Sequence, residues 1–370
     1  MERSLKHFLA GQQIGTLDSV GEFTLCSAQA MEKMARHQLA SPGLWLVKVA
    51  QAAVSLGASE LTYDFERSRA VIRFFGTPPI DGQELGRSLL SGELPGEVWK
   101  HHLVVGLRAF MAQDPKRLAW LDSFNRLTVV GAAKSPRAEG SSEDRGATLV
   151  IMAELQPPSG LFKWMSQSSF DPSALSRHCQ LCHVPIRVNG SCVSRQFPPR
   201  REVLKGLDQE SIALVLECFG NKLPLVVSSF GNADPALSTV PKLRLEPHKV
   251  GALAVLSSLP YFVSPVSQCY WVKDGALLEP RPIEFRFQSR TRARYSLSLY
   301  LDGSDVRVDA SHFSAPQVDV DWLFLQATLR KLVSKMDLAR RPQKQMGWTA
   351  QERAVEERRA LIEAIEWMRF

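Results

Sequence analysis

The sequence predicts a mixed α/β protein: a two-layer α/β sandwich, then a second α/β unit rich in antiparallel strands, then a helical C-terminal segment. Three observations lead there. Over the first 200 residues the apolar spacing switches between helical and alternating, in the order helices, hairpin, helix, strands, helix, hairpin. Pro198-Pro199-Arg200-Arg201 then interrupts the pattern. From 202 to about 318 the chain reads mainly as strands, and beyond 318 helical spacing returns. The expected division is 1–200, 201–318 and 319–370.

Each element has its own warrant. Apolar positions in 27–39 recur at helical spacing, and Ser41-Pro42-Gly43 separates that helix from a second over 43–57. After Gly57, ELTYDFERSRAVIRFFG alternates on both sides of a charged turn and reads as a hairpin ending at Gly76. A helix near 98–112 follows, then strands near 126–131 and 147–155. The Gly- and Ser-rich separator AAKSPRAEGSSEDRGA between them reads as an exposed loop. Residues 173–183 read as helix, and VPIRVNGSCVSRQF as a hairpin turning at Asn189-Gly190. Further turns fall at Lys273-Asp274-Gly275 and Asp302-Gly303. In the tail, DVDWLFLQATLRKLVSKMDLARR reads as a helix, and Thr349 with Glu352 forms a capping box that opens a last one.

Composition bounds the class. At 45% hydrophobic and 22% charged residues the chain is globular rather than disordered. A balance of 45 basic to 38 acidic residues, net +7, permits acidic partners without requiring them. No run approaches the roughly 18 apolar residues of a membrane span, so no membrane partner is expected. The N-terminus lacks the apolar core of a secretory signal, so a cytoplasmic location is expected. Six cysteines scattered over this length read as small buried residues, not a disulfide framework.

The segments GEFTLCSAQAMEKMARHQLASPGLWLVKVAQAAVSLGASELTYDF and GATLVIMAELQPPSG followed by ALSRHCQLCHVPIRVNG carry a resemblance over roughly 20–195. In content and order they resemble the ATPase domain of the gyrase, heat-shock-chaperone, histidine-kinase and MutL (GHKL) superfamily, and the ninety-kilodalton chaperone in particular. The resemblance implies a Bergerat-type sandwich that holds ATP or another nucleotide, and a second domain in the position of the transducer.

In that family one helix presents Glu, Asn and Asp at spacings of four and three, a general base and a Mg²⁺-binding amide on one face. The matching positions here are Val47, Gln51 and Val54, so the base is absent and only an amide survives. The adenine-reading Asp-x-Gly-x-Gly turn matches Phe75-Gly76-Thr77-Pro78-Pro79, where an aromatic ring replaces the carboxylate and prolines stiffen the chain. The phosphate-cradling Gly-x-Gly at a helix N-terminus matches Val104-Val105-Gly106. Thr148 matches the threonine beside the adenine-reading residues. The resemblance thus implies a degenerate ATPase, chaperone-like in architecture, acting as a scaffold or partner-binding protein. An alternative keeps a nucleotide through unconventional contacts from Lys48, Gln51, Ser55, Gly76, Gly106 and Thr148. A plainer reading makes 44–54 a core helix with Gln51 satisfied by backbone.

Other constellations have both sharp and plain readings. Cys179-Gln-Leu-Cys182-His183, with His178 and Cys192, has the spacing of a metal or haem site, and equally of a helix running into a strand with structural cysteines. Arg286, Arg290, Arg292 and Arg294 share parity along one predicted strand, with Phe285, Phe287, Tyr295, Leu297 and Leu299 on the other. They form either a phosphate-binding face for nucleic acid or a solvated outer face. The last helix, with Val355, Ile362, Ile365 and Met368, is a candidate surface for a protein partner or self-association, or packs on its own domain.

Overall fold

The computed structural model describes residues 39–91, 94–130, 146–156, 170–194, 212–218, 242–244, 252–259, 267–283, 294–303, 306–308 and 313–314, with isolated helical residues at 327, 330, 331, 334, 335, 359, 360 and 363. The expected helix at 27–39, most of the polar separator, the Pro198–Arg201 boundary and the Thr349–Glu352 capping box lie outside them. So do Arg286, Arg290 and Arg292.

Helix α1 (Leu44–Ser55) begins directly after Pro42-Gly43, and every residue from Leu44 to Ala53 is buried. A helix buried all round belongs between layers rather than on a surface. Its end is a Schellman motif, in which Gly57 at φ +82° lets its own N–H reach Val54 O (3.0 Å) and the Ala58 N–H reach Ala53 O (2.9 Å). Strands β1 (Glu60–Glu66) and β2 (Arg69–Phe75) pair antiparallel, and alternation buries Leu61, Tyr63, Ala70, Ile72 and Phe74.

Helix α2 (Gly82–Leu90) was not expected from the sequence. It is capped by Asp81, whose Oδ1 accepts from the N–H groups of Gln83 (2.8 Å) and Glu84 (3.3 Å), and it buries Leu85 and Leu89. Helix α3 (Val98–Met111) packs on α1. Strand β3 (Arg117–Leu121), also unexpected, precedes β4 (Leu127–Val130) and β5 (Ala147–Glu154). Helix α4 (Ser173–His178) ends five residues earlier than the spacing suggested. Asn189 (φ +47°) and Gly190 (φ +78°) turn β6 (Ile186–Val188) into β7 (Ser191–Cys192).

These strands form one sheet in the order β4-β3-β5-β2-β1-β6-β7, antiparallel except where β6 joins β1 in parallel. A second sheet contains β8 (Ile212–Cys218), β9 (Lys242–Arg244), β10 (Ala252–Leu259), β11 (Gln268–Lys273), β12 (Ala276–Leu277), β13 (Arg281–Pro282) and β14 (Arg294–Asp302). Its order is β12-β11-β14-β10-β8-β9, with β13 beside β11. It is mixed: β11–β14 and β8–β9 run parallel and the other pairs antiparallel.

The basic strand expected over 286–294 lies outside the described residues apart from the backbone of Arg294. Between its neighbours β11 and β10, β14 buries Leu297, Leu299 and Leu301 on one parity and Ser298 and Tyr300 on the other. Arg294 opens that strand opposite Leu259. No helix among the described residues is long and apolar enough to cross a membrane. The described residues of the tail are helical.

The two sheets share one hydrophobic core. Residues of α1, α3, α4 and the first sheet cluster with Cys269, Trp271, Ala276, Leu278, Leu297, Leu299, Leu301 and Phe313.

Candidate functional site

The residues singled out on α1 lie where the second sheet meets the helices. Lys48 and Gln51 are each about 1% exposed, and the lysine Nζ donates to Gln51 Oε1 at 2.8 Å. Gln51 Nε2 in turn donates to the carbonyl of Lys273, at the end of β11, at 3.0 Å. Lys48 Nζ also sits 4.7 Å from the centre of the Phe313 ring. Val47 is fully buried and carries no chemistry.

The element that meets α1 is the β11–β12 turn. Asp274 (φ +49°) and Gly275 (φ +78°) form the two-residue turn that the Lys-Asp-Gly spelling predicted. Gly275 is required for its closeness as well as its backbone. A Cβ there would stand 2.7 Å from Cys182 Sγ and 3.1 Å from Val54 Cγ2. Asp274 Oδ2 lies 2.9 Å from Nε2 of His102 on α3. One element along, His178 Nδ1 on α4 reaches the Leu277 carbonyl at 2.7 Å. The turn therefore fills a notch lined by α1, α3 and the end of α4.

Burial sets the electrostatics of this notch. Desolvation pulls the Lys48 ammonium down to about 7, with the Asp274 carboxylate opposing the shift and Lys273 adding to it. Desolvation also lowers His102 against the opposing hydrogen bond from Asp274, and Lys48 adds to the depression. Burial resists ionisation of Asp274, but its bond to His102 and the charges of His102, Lys273 and Lys48 outweigh that and hold it below the usual carboxylate range. His178 is depressed by burial, against the pull of the Leu277 carbonyl.

Of the expected ligand residues, the fold brings Lys48, Gln51 and Gly106 together. Gly106 does not stand at a helix N-terminus, and the expected phosphate cradle is corrected. It lies inside α3, where a Cβ would come 2.9 Å from Lys48 Cβ and 3.0 Å from the Trp45 carbonyl. The residue is small because two helices cross there. Ser55 is exposed in the last turn of α1.

Gly76 and Thr148 form a separate group at the ends of β2 and β5. Gly76 (φ +68°) closes the hairpin against Ser59, where a side chain would collide with Ser59 Oγ. Thr148 Oγ1 donates to the Phe74 carbonyl at 3.1 Å and contacts Thr77 Oγ1. Phe75 is half-buried and stands opposite Ala147 in the ladder, one position from Thr148.

The cysteine segment reads as packing. Cys179 and Cys182 are fully buried, Cys192 is exposed, and burial pushes the Cys179 thiol well above its ordinary value. Among the described residues no group of three or more His, Cys, Asp or Glu could hold a metal ion.

Sequence reasoning missed His102, Asp274 and Phe313. The signals present were a histidine on an otherwise apolar helix and a turn whose aspartate had more to do than bend the chain. No family model matches the chain, and the curated proteins contain no match to it.

Proposed function

We propose that the chain is a GHKL-fold protein, chaperone-like in architecture, whose nucleotide site is degenerate and whose role is to scaffold or bind a partner with little or no ATP hydrolysis. The observation that carries this reading is the commitment of Gln51. The one polar group left where the resemblance puts a Mg²⁺-binding amide already accepts from Lys48 and donates to the Lys273 carbonyl. An amide about 1% exposed and engaged at both its oxygen and its nitrogen is turned into the protein rather than toward a ligand. The position of the catalytic base is Val47, fully buried, which cannot take a proton from water.

In this reading 1–200 is the ATPase-like domain, 201–318 occupies the transducer position and 319–370 is a helical segment. The last helix is the surface for a protein partner or a second copy, and the protein works in the cytoplasm. Calorimetric titration with ATP and ADP, with and without Mg²⁺, tests it, and no saturable heat is expected. Stoichiometric ATP turnover abolished by Gln51→Ala would overturn it.

A further inference from the structure

We infer that the β11–β12 turn and the notch between α1, α3 and α4 form a proton-operated latch, which holds the second sheet against the helices in neutral to alkaline solution and releases it on acidification. This does not depend on the nucleotide reading above.

Among the described residues, three side chains of the helices hold the turn and the strand after it: Gln51 to the Lys273 carbonyl, His102 to Asp274, and His178 to the Leu277 carbonyl. Two of the three are imidazoles. A third base, Lys48, is closed in between Gln51 and the face of Phe313. His102 has one ring nitrogen on Asp274, while Nδ1 is buried with no partner among the described residues. A doubly protonated ring would carry an N–H with no acceptor, so the closed notch accommodates the neutral ring. A neutral Lys48 amine still donates to Gln51 Oε1, so that bond does not need the charge.

Among the described residues, most of the charged groups that face these bases are cationic. Lys48 faces Lys273 and Asp274 from the turn and His101 and His102 from α3, with Arg108 beside His101. His178 faces Arg177 on its own helix and Glu279 beyond β12. Among the described residues, Asp274 is the carboxylate that acts on both Lys48 and His102.

All the linked shifts have one sign. For a base whose closed-state pKa is depressed, the open state binds more protons between the two values, so closure strengthens as pH rises through that window. For Lys48 the window runs from about 7 to 10.5, and below 7 the full cost of burying the ammonium persists. For His102 and His178 the same recovery occurs as pH rises towards 6.5. Asp274, depressed as an acid, adds stability to the closed form above its ordinary 3.8 and loses it below. Closing the notch therefore releases protons at every group, and none offsets another.

Amide hydrogen exchange of the full chain tests this, read over 271–278 at pH 6 and pH 9 and normalised to the unfolded peptides at each pH. The β1–β2 hairpin serves as the internal reference. Protection over 271–278 is expected to be lower at pH 6 by about tenfold or more, one pKa unit being worth a factor of ten, while the hairpin holds. In the Lys48→Met/His102→Gln double variant the difference should collapse, since thioether and amide keep the shape without the protons. Equal protection at the two pH values overturns the latch, even if the variant does not fold. Hairpin protection lost in step with the turn at pH 6, or an unchanged pH difference in the folded variant, does so too.

Discussion

At the scale of single residues, the notch turns on groups whose value lies in what they complete. Gln51 is one, since its amide fills both of its roles inside the protein. Gln51→Leu should remove the amide that bonds both the Lys273 carbonyl and the Lys48 amine, costing about 1–3 kcal/mol for the buried hydrogen bonds lost. Urea unfolding of the full chain measures it, and an unchanged midpoint would mean that water enters the notch freely. Lys48→Met has a different signature. The variant is relieved of burying an ammonium but takes the Lys48 donor from Gln51 Oε1, so near pH 7 its stability should stay close to that of the native chain. The native melting temperature should rise relative to the variant's between pH 7 and 9, the window in which the native lysine sheds its proton only when folded.

At the scale of elements, two glycines fix how the helices end and cross. Gly57 holds φ +82° in the motif that terminates α1. Gly57→Ala should cost about 1–2 kcal/mol, because a Cβ in left-handed backbone meets the following carbonyl whatever the space around it. Gly106→Val acts through packing, since its branches would enter the α1–α3 crossing against Lys48 and Trp45. Forcing extra methyl groups into a filled core typically costs about 1–3 kcal/mol. A chemical denaturation midpoint reads both, and the second should also raise exchange along α3. These elements differ in how much of them the sequence shows. The β1–β2 hairpin was plain from alternation, and both two-residue turns from Asn-Gly and Asp-Gly. Helix α2 was hidden because Gly82 and Gly86 weaken its local propensity; Gly82 lies close to Trp120 and Asp122, an arrangement only the tertiary structure supplies. Strand β3 was hidden for a related reason: Leu118, Ala119 and Trp120 are all buried, so it shows no alternation. Helix α4 was overextended because buried Leu181 and Cys182 continue an apolar spacing after the helix has stopped.

At the scale of the whole molecule, the site was legible in its parts and not in its assembly. Helical spacing and a family resemblance single out Lys48 and Gln51 as nucleotide contacts, and the Lys-Asp-Gly spelling marks Asp274 as a turn residue. Nothing local says that they meet, because the contact joins residues 222 apart and no pattern within one window encodes it. For the same reason Gly106 was assigned to a ligand, when its neighbour is another helix. Two mixed sheets joined through one core are observed, whereas loss of nucleotide chemistry is a proposal that the ATP and ADP titration decides. If the proposal holds, adding either nucleotide should leave the melting temperature unchanged, since only a ligand that prefers the native state raises it.

The seating of Phe313 against Lys48 also bears on the order of events as the chain is made. A domain emerging from the ribosome at roughly 5–20 residues per second folds as its parts become available. Helix α1 can meet α3 early, yet one side of it must stay hydrated until residue 273 has emerged, and its lysine lacks its aromatic cover until residue 313. For roughly 10–40 seconds at that rate the nascent chain would present Lys48, Gln51 and Val54 to water with the ammonium charged. A ribosome-bound chain stalled near residue 200 should therefore leave Lys48 open to amine-reactive reagents that cannot reach it in the finished protein.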